Sequence, residues 1–306
     1  KNYFEKYQSI QKNFENYEDF SNIKLPIKFN YQKNKNLIKS NISKSKFKKY
    51  VKKAKEYIAR GDIFQVVLSQ RFERKINKTP LEVYNHLRLS NPSPFMFYFN
   101  FEDFKIIGSS PEILVRLRNN QITIRPIAGT RPRGATKIQD VKYAKELLKD
   151  KKELAEHLML LDLGRNDVGK VSKVNSVKVT ESFTIEKYSH VMHIVSNVVG
   201  EFDRKNSIFE TLLSGFPAGT VSGAPKIRAM EIIDELEKNK RKLYAGGIGY
   251  FTPSKEFDTC IALRTALIKK NKFYVQSGAG IVADSVPEKE YQETINKAKA
   301  LMSAVD

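Results

Sequence analysis

The order of its strand-like and helix-like segments constrains this chain most. Short runs rich in β-branched and aromatic residues come in groups, at 62–72, 95–101, 105–108, 112–118 and 121–126, and again at 172–181, 245–251, 257–268 and 272–277. The turn Asn91-Pro92-Ser93-Pro94 separates two of them. Helical patterns interrupt the groups irregularly. One over 46–59 is closed by Arg60-Gly61, and one over 80–90 is opened by Thr79-Pro80. A long helix is expected over 140–163, with others over 205–214 and 224–238 and a closing one to about 302. A glycine-, arginine- and proline-rich loop is expected at 127–134, and a glycine turn at 278–280. A parallel sheet would need strict strand–helix alternation. This order lacks it and predicts antiparallel sheets with helices outside, an α+β architecture.

The chain has 306 residues, 41% of them hydrophobic, which is enough for a large core. Residues 1–45 are polar and read as a partial, weakly structured N-terminal region around Leu25-Pro26; 46–306 reads as the main folded domain. The opening, Lys1-Asn2-Tyr3, lacks an initiator Met and looks cut from something longer. A single cysteine, Cys260, excludes a disulfide framework and suits a reducing cytoplasm. No apolar run reaches the ~18–20 residues of a membrane span, and no signal peptide is visible. The formal charge is +20, yet the lysines are spread widely and no nucleic-acid module appears. The expected partner of that field is a small anion, not nucleic acid or a membrane.

Two acidic segments stand out. Glu153 and Glu156 sit three apart before His157 and an apolar run, and Glu290 and Glu293 repeat the spacing behind Pro287. Each pair shares one helix face. Burying such carboxylates without counter-charge costs several kcal/mol. Spacing alone leaves two answers open, a hard cation such as Mg²⁺ or pairing with Arg and Lys. The loop 215–226 tempts one toward a phosphate cradle, but Pro225 separates Gly223-Ala224 from Lys226 and no Gly-Lys-Ser/Thr occurs.

Taken together, many segments resemble the chorismate-utilising enzymes: GDIFQVVLSQRF (61–72), NPSPFMFYF (91–99), SSPEILVR (109–116), PIAGTRPRG (126–134), ELAEHLMLLDLGRND (153–167), HVMHIVSNVVGE (190–201), FPAGTVSGAPK (216–226), YAGGIGYF (244–251), ALRTALI (262–268) and GAGIVADSVPE (278–288). They run in order over nearly all of 46–306. The resemblance implies two antiparallel sheets packed face to face, flanked by helices, with the site between them. It also implies Mg²⁺ bound by Glu156 and Glu293, with Glu153 and Glu290 in supporting roles, anchoring a ring carboxylate of chorismate. By the same resemblance Glu112 is the general acid that protonates a departing 4-hydroxyl, and His193 serves the last, aromatising step. His190 next to it is read as structural. Tyr244, Arg264, Gly278, Ala279 and Gly280 hold the enolpyruvyl carboxylate, and Gly129 and Thr130 line the ring.

Two positions discriminate within the family. Isochorismate- and salicylate-forming members place a water-activating lysine where this chain has Gln65. Many aminodeoxychorismate-forming members place a nucleophilic lysine where it has Ala128. The chain is therefore expected to resemble the anthranilate-forming members, with the aminodeoxychorismate-forming ones as the alternative. No glutaminase triad is visible, so ammonia is expected from a separate glutamine amidotransferase subunit. The family's tryptophan feedback pocket is represented by one wall, Pro94-Phe95-Met96. Its Leu-Leu-Glu-Ser segment is not found, so weak or no tryptophan binding is expected of this chain.

Overall fold

In the computed structural model, which describes residues 38–188 and 191–305, every strand pair is antiparallel. The first sheet runs in the order β1 (Lys39–Ser40), β2 (Gln65–Lys75), β14 (Lys272–Ile281), β13 (Thr265–Lys269), β4 (Lys105–Ser110), β3 (Phe95–Asn100), with β10 (Gly223–Ala224) also on β2. The second runs β11 (Gly247–Phe251), β12 (Phe257–Ile261), β5 (Ile113–Arg118), β6 (Gln121–Ile124), β9 (Val191–Glu201), β7 (Ile127–Pro132), with β8 (Lys178–Lys187) on the other side of β9. The expected class holds: α+β, two antiparallel sheets with helices outside.

The helices begin where their sequences supply caps. In α1 (Lys44–Ala59) Ser43 accepts from Lys46 N, and Thr79 with Glu82 forms a capping box on α2 (Pro80–Ser90). Thr136 caps α3 (Lys137–Leu147), Asp150 caps α4 (Lys151–Gly169), and Ser207 with Glu210 boxes α5 (Ile208–Gly215). Two more helices follow, α6 (Lys226–Leu236) and α7 (Pro287–Ser303). Each sheet buries its apolar face under its own helices. In the first sheet Phe72, Phe273 and Ile107 meet Leu87 and Leu301, and Val66 and Ala279 meet Phe47 and Ile232. In the second, Leu117, Ile122 and Phe257 meet Leu161 and Val168. Hydrophobic side chains are thus spent on the sheet–helix layers.

Several elements differ from the sequence reading. The long helix over 140–163 is two helices, because Asp150 folds back to accept from Lys152 N and Glu153 N and so opens a new one. The loop at 127–134 is largely strand β7, and the run at 172–181 shifts to β8. The run over 257–268 is two strands in different sheets. The glycine turn at 278–280 is unbroken strand. At the N-terminal side, β1 and the start of α1 bring residues 38–45 into the fold, whereas Leu25, Pro26 and the rest of 1–37 lie outside the described residues, as does His190. Among the described residues no helix is long and apolar enough to cross a membrane.

Candidate active site

Two direct strand-to-strand corners carry the chain from one sheet to the other, and each holds a charged residue. Ser-Pro-Glu leads from β4 to β5 with Glu112 at the turn; Leu263-Arg264 leads from β12 to β13. The corners are tied together, with Ile261 N donating to Glu112 O at 3.0 Å and Ser109 N donating to Arg264 O at 3.1 Å. Arg264 has φ +43°, a left-handed conformation that only a well-determined corner maintains in a residue with a side chain. The Glu112 residue is 7% exposed. Burial pushes its carboxyl up to about 7, against the opposing pull of Thr220, Lys297 and Arg264. Burial lowers Arg264, with Tyr188 and Glu112 acting the other way.

Strand β14 forms the floor. It pairs with β13 only as far as Val275 but with β2 out to Ile281, so one edge of its last residues is open. Gly278 O accepts from Lys297 Nζ at 3.1 Å, and the N–H of Ser69, its register partner on β2, goes to Glu237 at 2.7 Å. Gly278, and Gly280 two residues on, therefore turn their N–H groups away from β2 toward the cleft. A Cβ on Gly278 would lie 2.7 Å from the Tyr244 hydroxyl, and one on Gly280 would lie 2.4 Å from Gln65 Nε2. Close approach is what these glycines supply. Ala279 alternates to the other side and packs its methyl in the core with Val66 and Leu68. Burial drives the Tyr244 phenol up to about 12, and Arg241 stacks 5.5 Å from its ring centroid.

On the second sheet His193 lies between Thr130 of β7 and Glu186 of β8, its register partners. A bulge between Ala128 and Thr130, with Gly129 at φ +74°, aims the Gly129 carbonyl at the ring. His193 Nδ1 lies 3.0 Å from Gly129 O and 3.0 Å from Thr130 Oγ1. A carbonyl only accepts, so Nδ1 carries the hydrogen and Nε2 keeps its lone pair. Burial lowers the ring to about 4, leaving it neutral at pH 7. Tyr188 stands edge-on at 5.5 Å and donates to Glu186 at 2.8 Å.

The two acidic helices do converge. Glu156 is raised by burial and by repulsion from Glu153 and Glu293, with Lys297 opposing, and accepts from Gln65 Nε2 at 3.2 Å. Glu290 is raised by burial and by Glu293. Of the two answers left open by the spacing, pairing is seen for two of the four: Arg131 pairs with Glu153 at 3.3 Å and Lys297 with Glu293 at 2.7 Å, while Glu156 has no ion pair among the described residues. Among the described residues no three ligating side chains are gathered tightly enough to hold a metal. The donor set still suits one, since hard oxygens that repel each other in a half-buried site are what Mg²⁺ relieves.

Pro94, Phe95 and Met96 lie at the outer edge of the first sheet, where Phe95 and Met96 pair with Ser110 and Ser109. Sequence reasoning missed Lys297, whose charge reaches Glu112, Glu156, Glu290 and His193. Its signal was the i,i+4 spacing from Glu293.

The two corners, the end of β14 and the middle of β9 thus gather cations, backbone N–H groups and carboxylates into one candidate site. Residues 2–303 match the chorismate binding enzyme family, and the chain belongs to it. It is 61% identical over 269 residues to anthranilate synthase component 1 of Cereibacter sphaeroides, covering 88% of this chain and 54% of that one. To the protein of the same name from Aquifex aeolicus it is 57% identical over 268 residues, covering 88% and 54%. The chain thus spans about half the length of the curated relatives it matches. Among solved structures, anthranilate synthase component I from Streptococcus pneumoniae superposes with a TM-score of 0.81 at 46% identity, covering 86% of this chain and 59% of that one. The menaquinone-specific isochorismate synthase from Escherichia coli gives 0.80 at 24% identity, covering 88% and 62%, a likeness of fold.

Proposed function

We propose that residues 46–306 form the catalytic domain of the synthase subunit of an anthranilate synthase, converting chorismate and ammonia to anthranilate and pyruvate. The observation that carries this reading is a protonatable Glu112 and a neutral His193 facing one pair of cations, Arg264 and Lys297. An acid and a base in one cleft suit a reaction that first expels a hydroxyl and then removes a ring proton.

Arg264, Tyr244 and the N–H groups of Gly278 and Gly280 receive the enolpyruvyl carboxylate, and Gly129 and Thr130 border the ring. Ammonia adds at C2 as the 4-hydroxyl leaves with the Glu112 proton. His193 Nε2 then takes the C2 proton as pyruvate is lost. Glu156 and Glu293, helped by Glu153 and Glu290, would hold Mg²⁺, which when bound draws charge from the ring carboxylate. The nucleophile is indicated by Gln65: its amide is held by Glu156 and cannot deprotonate water, whereas ammonia is a nucleophile already. Ammonia is supplied by a glutamine amidotransferase subunit, and the protein works in the cytoplasm. Tryptophan is the feedback inhibitor of the full-length protein, with Pro94, Phe95 and Met96 as one wall of its pocket, and calorimetric titration of this chain should give weak or no tryptophan binding.

The test supplies this chain with chorismate, Mg²⁺ and an ammonium salt. A fluorescent anthranilate product without added lyase is expected; accumulation of a non-aromatic 4-amino product would overturn the assignment.

A further inference from the structure

Glu112 also faces away from the cleft. Behind it, between β5, β6, helix α4 and the stretch 215–220, lies a cavity of about 30 Å³. A water needs roughly 10–15 Å³ by this kind of measure, so the cavity has room for about two. Its apolar walls come from Ile124, Leu160, Leu163 and Ala218. Glycines bring the backbone in close: a Cβ on Gly215 would lie 2.5 Å from Val115 and one on Gly219 would lie 2.1 Å from Leu163.

One polar group in it has no settled partner. Thr220 Oγ1 is buried without a hydrogen-bond partner in direct reach among the described residues, although its hydroxyl is near enough to pull on the Glu112 carboxyl. Such an orphan is destabilising unless water reaches it. Asp167 also lines the cavity, but its oxygens are taken by Lys170 at 3.0 Å and Lys226 at 2.6 Å. Of all the residues assigned above to substrate, proton or metal, only Glu112 lines this space. It stands as a partition between the cavity and the cleft.

We propose that the cavity is a built water site, in which water bridges the Thr220 hydroxyl and the Glu112 carboxyl and returns a proton to Glu112 after each turnover. The second half rests on the reading of Glu112 as the general acid. When its proton departs with the 4-hydroxyl as water, the carboxylate takes a proton from the cavity water. Bulk solvent restores that proton at the rim, where Leu163 and Thr220 are half-buried. The charged and titratable groups facing Glu112 are Lys297 from α7, Arg264 from the β12–β13 corner and Tyr244. Asp167 from α4 and Arg125 from the end of β6 face the cavity.

A high-resolution crystal structure of this chain should show ordered water within hydrogen-bond distance of Thr220 Oγ1; a dry cavity overturns the site. In the ¹³C-carboxyl titration of Glu112, Thr220→Val should move the midpoint upward by roughly half a unit or more, and Thr220→Ser should restore it. An unmoved midpoint counts against the bridge. With ammonium as nitrogen source, Thr220→Val should lower kcat about tenfold above pH 7 with the KM for ammonia unchanged. A raised KM for ammonia at constant kcat would make the cavity an amine route and overturn the proposal. Retained turnover in Glu112→Gln would sink the general-acid reading and the proton return with it. A dry cavity beside an inactive Glu112→Gln sinks the water site alone.

Discussion

His157 packs on strand β9 and His193 is part of it, and both are held neutral near pKa 4 chiefly by burial. His157 is fully buried on α4. Its Nε2 lies 2.6 Å from Ser196 Oγ, its Nδ1 has no partner, and its ring meets Phe183 edge-on at 4.9 Å. His193 instead spends Nδ1 on the Gly129 carbonyl and leaves Nε2 for the cleft. A depressed pKa is therefore common to a packing residue and a proposed base. The nitrogen left free, and what it faces, separates them. Ser196 also accepts from Phe183 N at 3.0 Å, holding a residue at φ +51° inside the irregular stretch of β8. His157 and Ser196 thus clamp the acidic helix to the strand that carries His193.

The largest effect that could break this contrast is on turnover. His193→Gln should cut kcat by about 10²–10⁴ with little change in melting temperature, whereas His157→Gln should leave kcat within about tenfold of wild type and lower the melting temperature instead. Equal losses of activity would erase the distinction. Next in size is acid stability. Each ring resists protonation in the fold but accepts it unfolded, so between pH 6.5 and 4 the unfolded state binds more protons and stability falls as pH falls. For His157 this amounts to about 3 kcal/mol, from its drop to about 4. Urea unfolding at pH 7 and pH 4.5 should show the slope, reduced in His157→Phe.

Smaller still, Ser196→Ala should cost about 1–3 kcal/mol in urea unfolding, because it strips a partner from His157 and from Phe183 N–H. Thr130→Val, on the His193 side, should cost less than about 1 kcal/mol since Thr130 is exposed. The finest test is Tyr188→Phe. It keeps the ring edge on His193 and loses only the hydroxyl to Glu186, so a fall in kcat of a few-fold is expected, and a loss as large as that of His193→Gln would make Tyr188 part of the proton chemistry.

Much of the site was legible in sequence because its parts are local. The i,i+3 glutamates, Ser-Pro-Glu before a strand and the glycines around Ala279 each announce a helix face or a close approach within a few residues. Where reading failed at the glycines of β14, the deciding partners were distant. The glycines at 278 and 280 resemble a turn until Tyr244 and Gln65 are seen pressing on them. The break at Asp150 hides inside an apolar periodicity that runs on to either side of it.

The sequence by itself determined the caps that open most of these helices, the alternation that makes the strands, and the pairing of carboxylates on two helix faces, since all depend on neighbours within four residues. Only the tertiary structure decided that β12 and β13 belong to different sheets, that Lys297 stands among the acids, and that Gln65 rather than a cation meets Glu156. Those outcomes depend on strand register and on which groups lose their water together, and contacts between residues far apart in sequence settle both, as the separation of 91 residues between Gln65 and Glu156 shows.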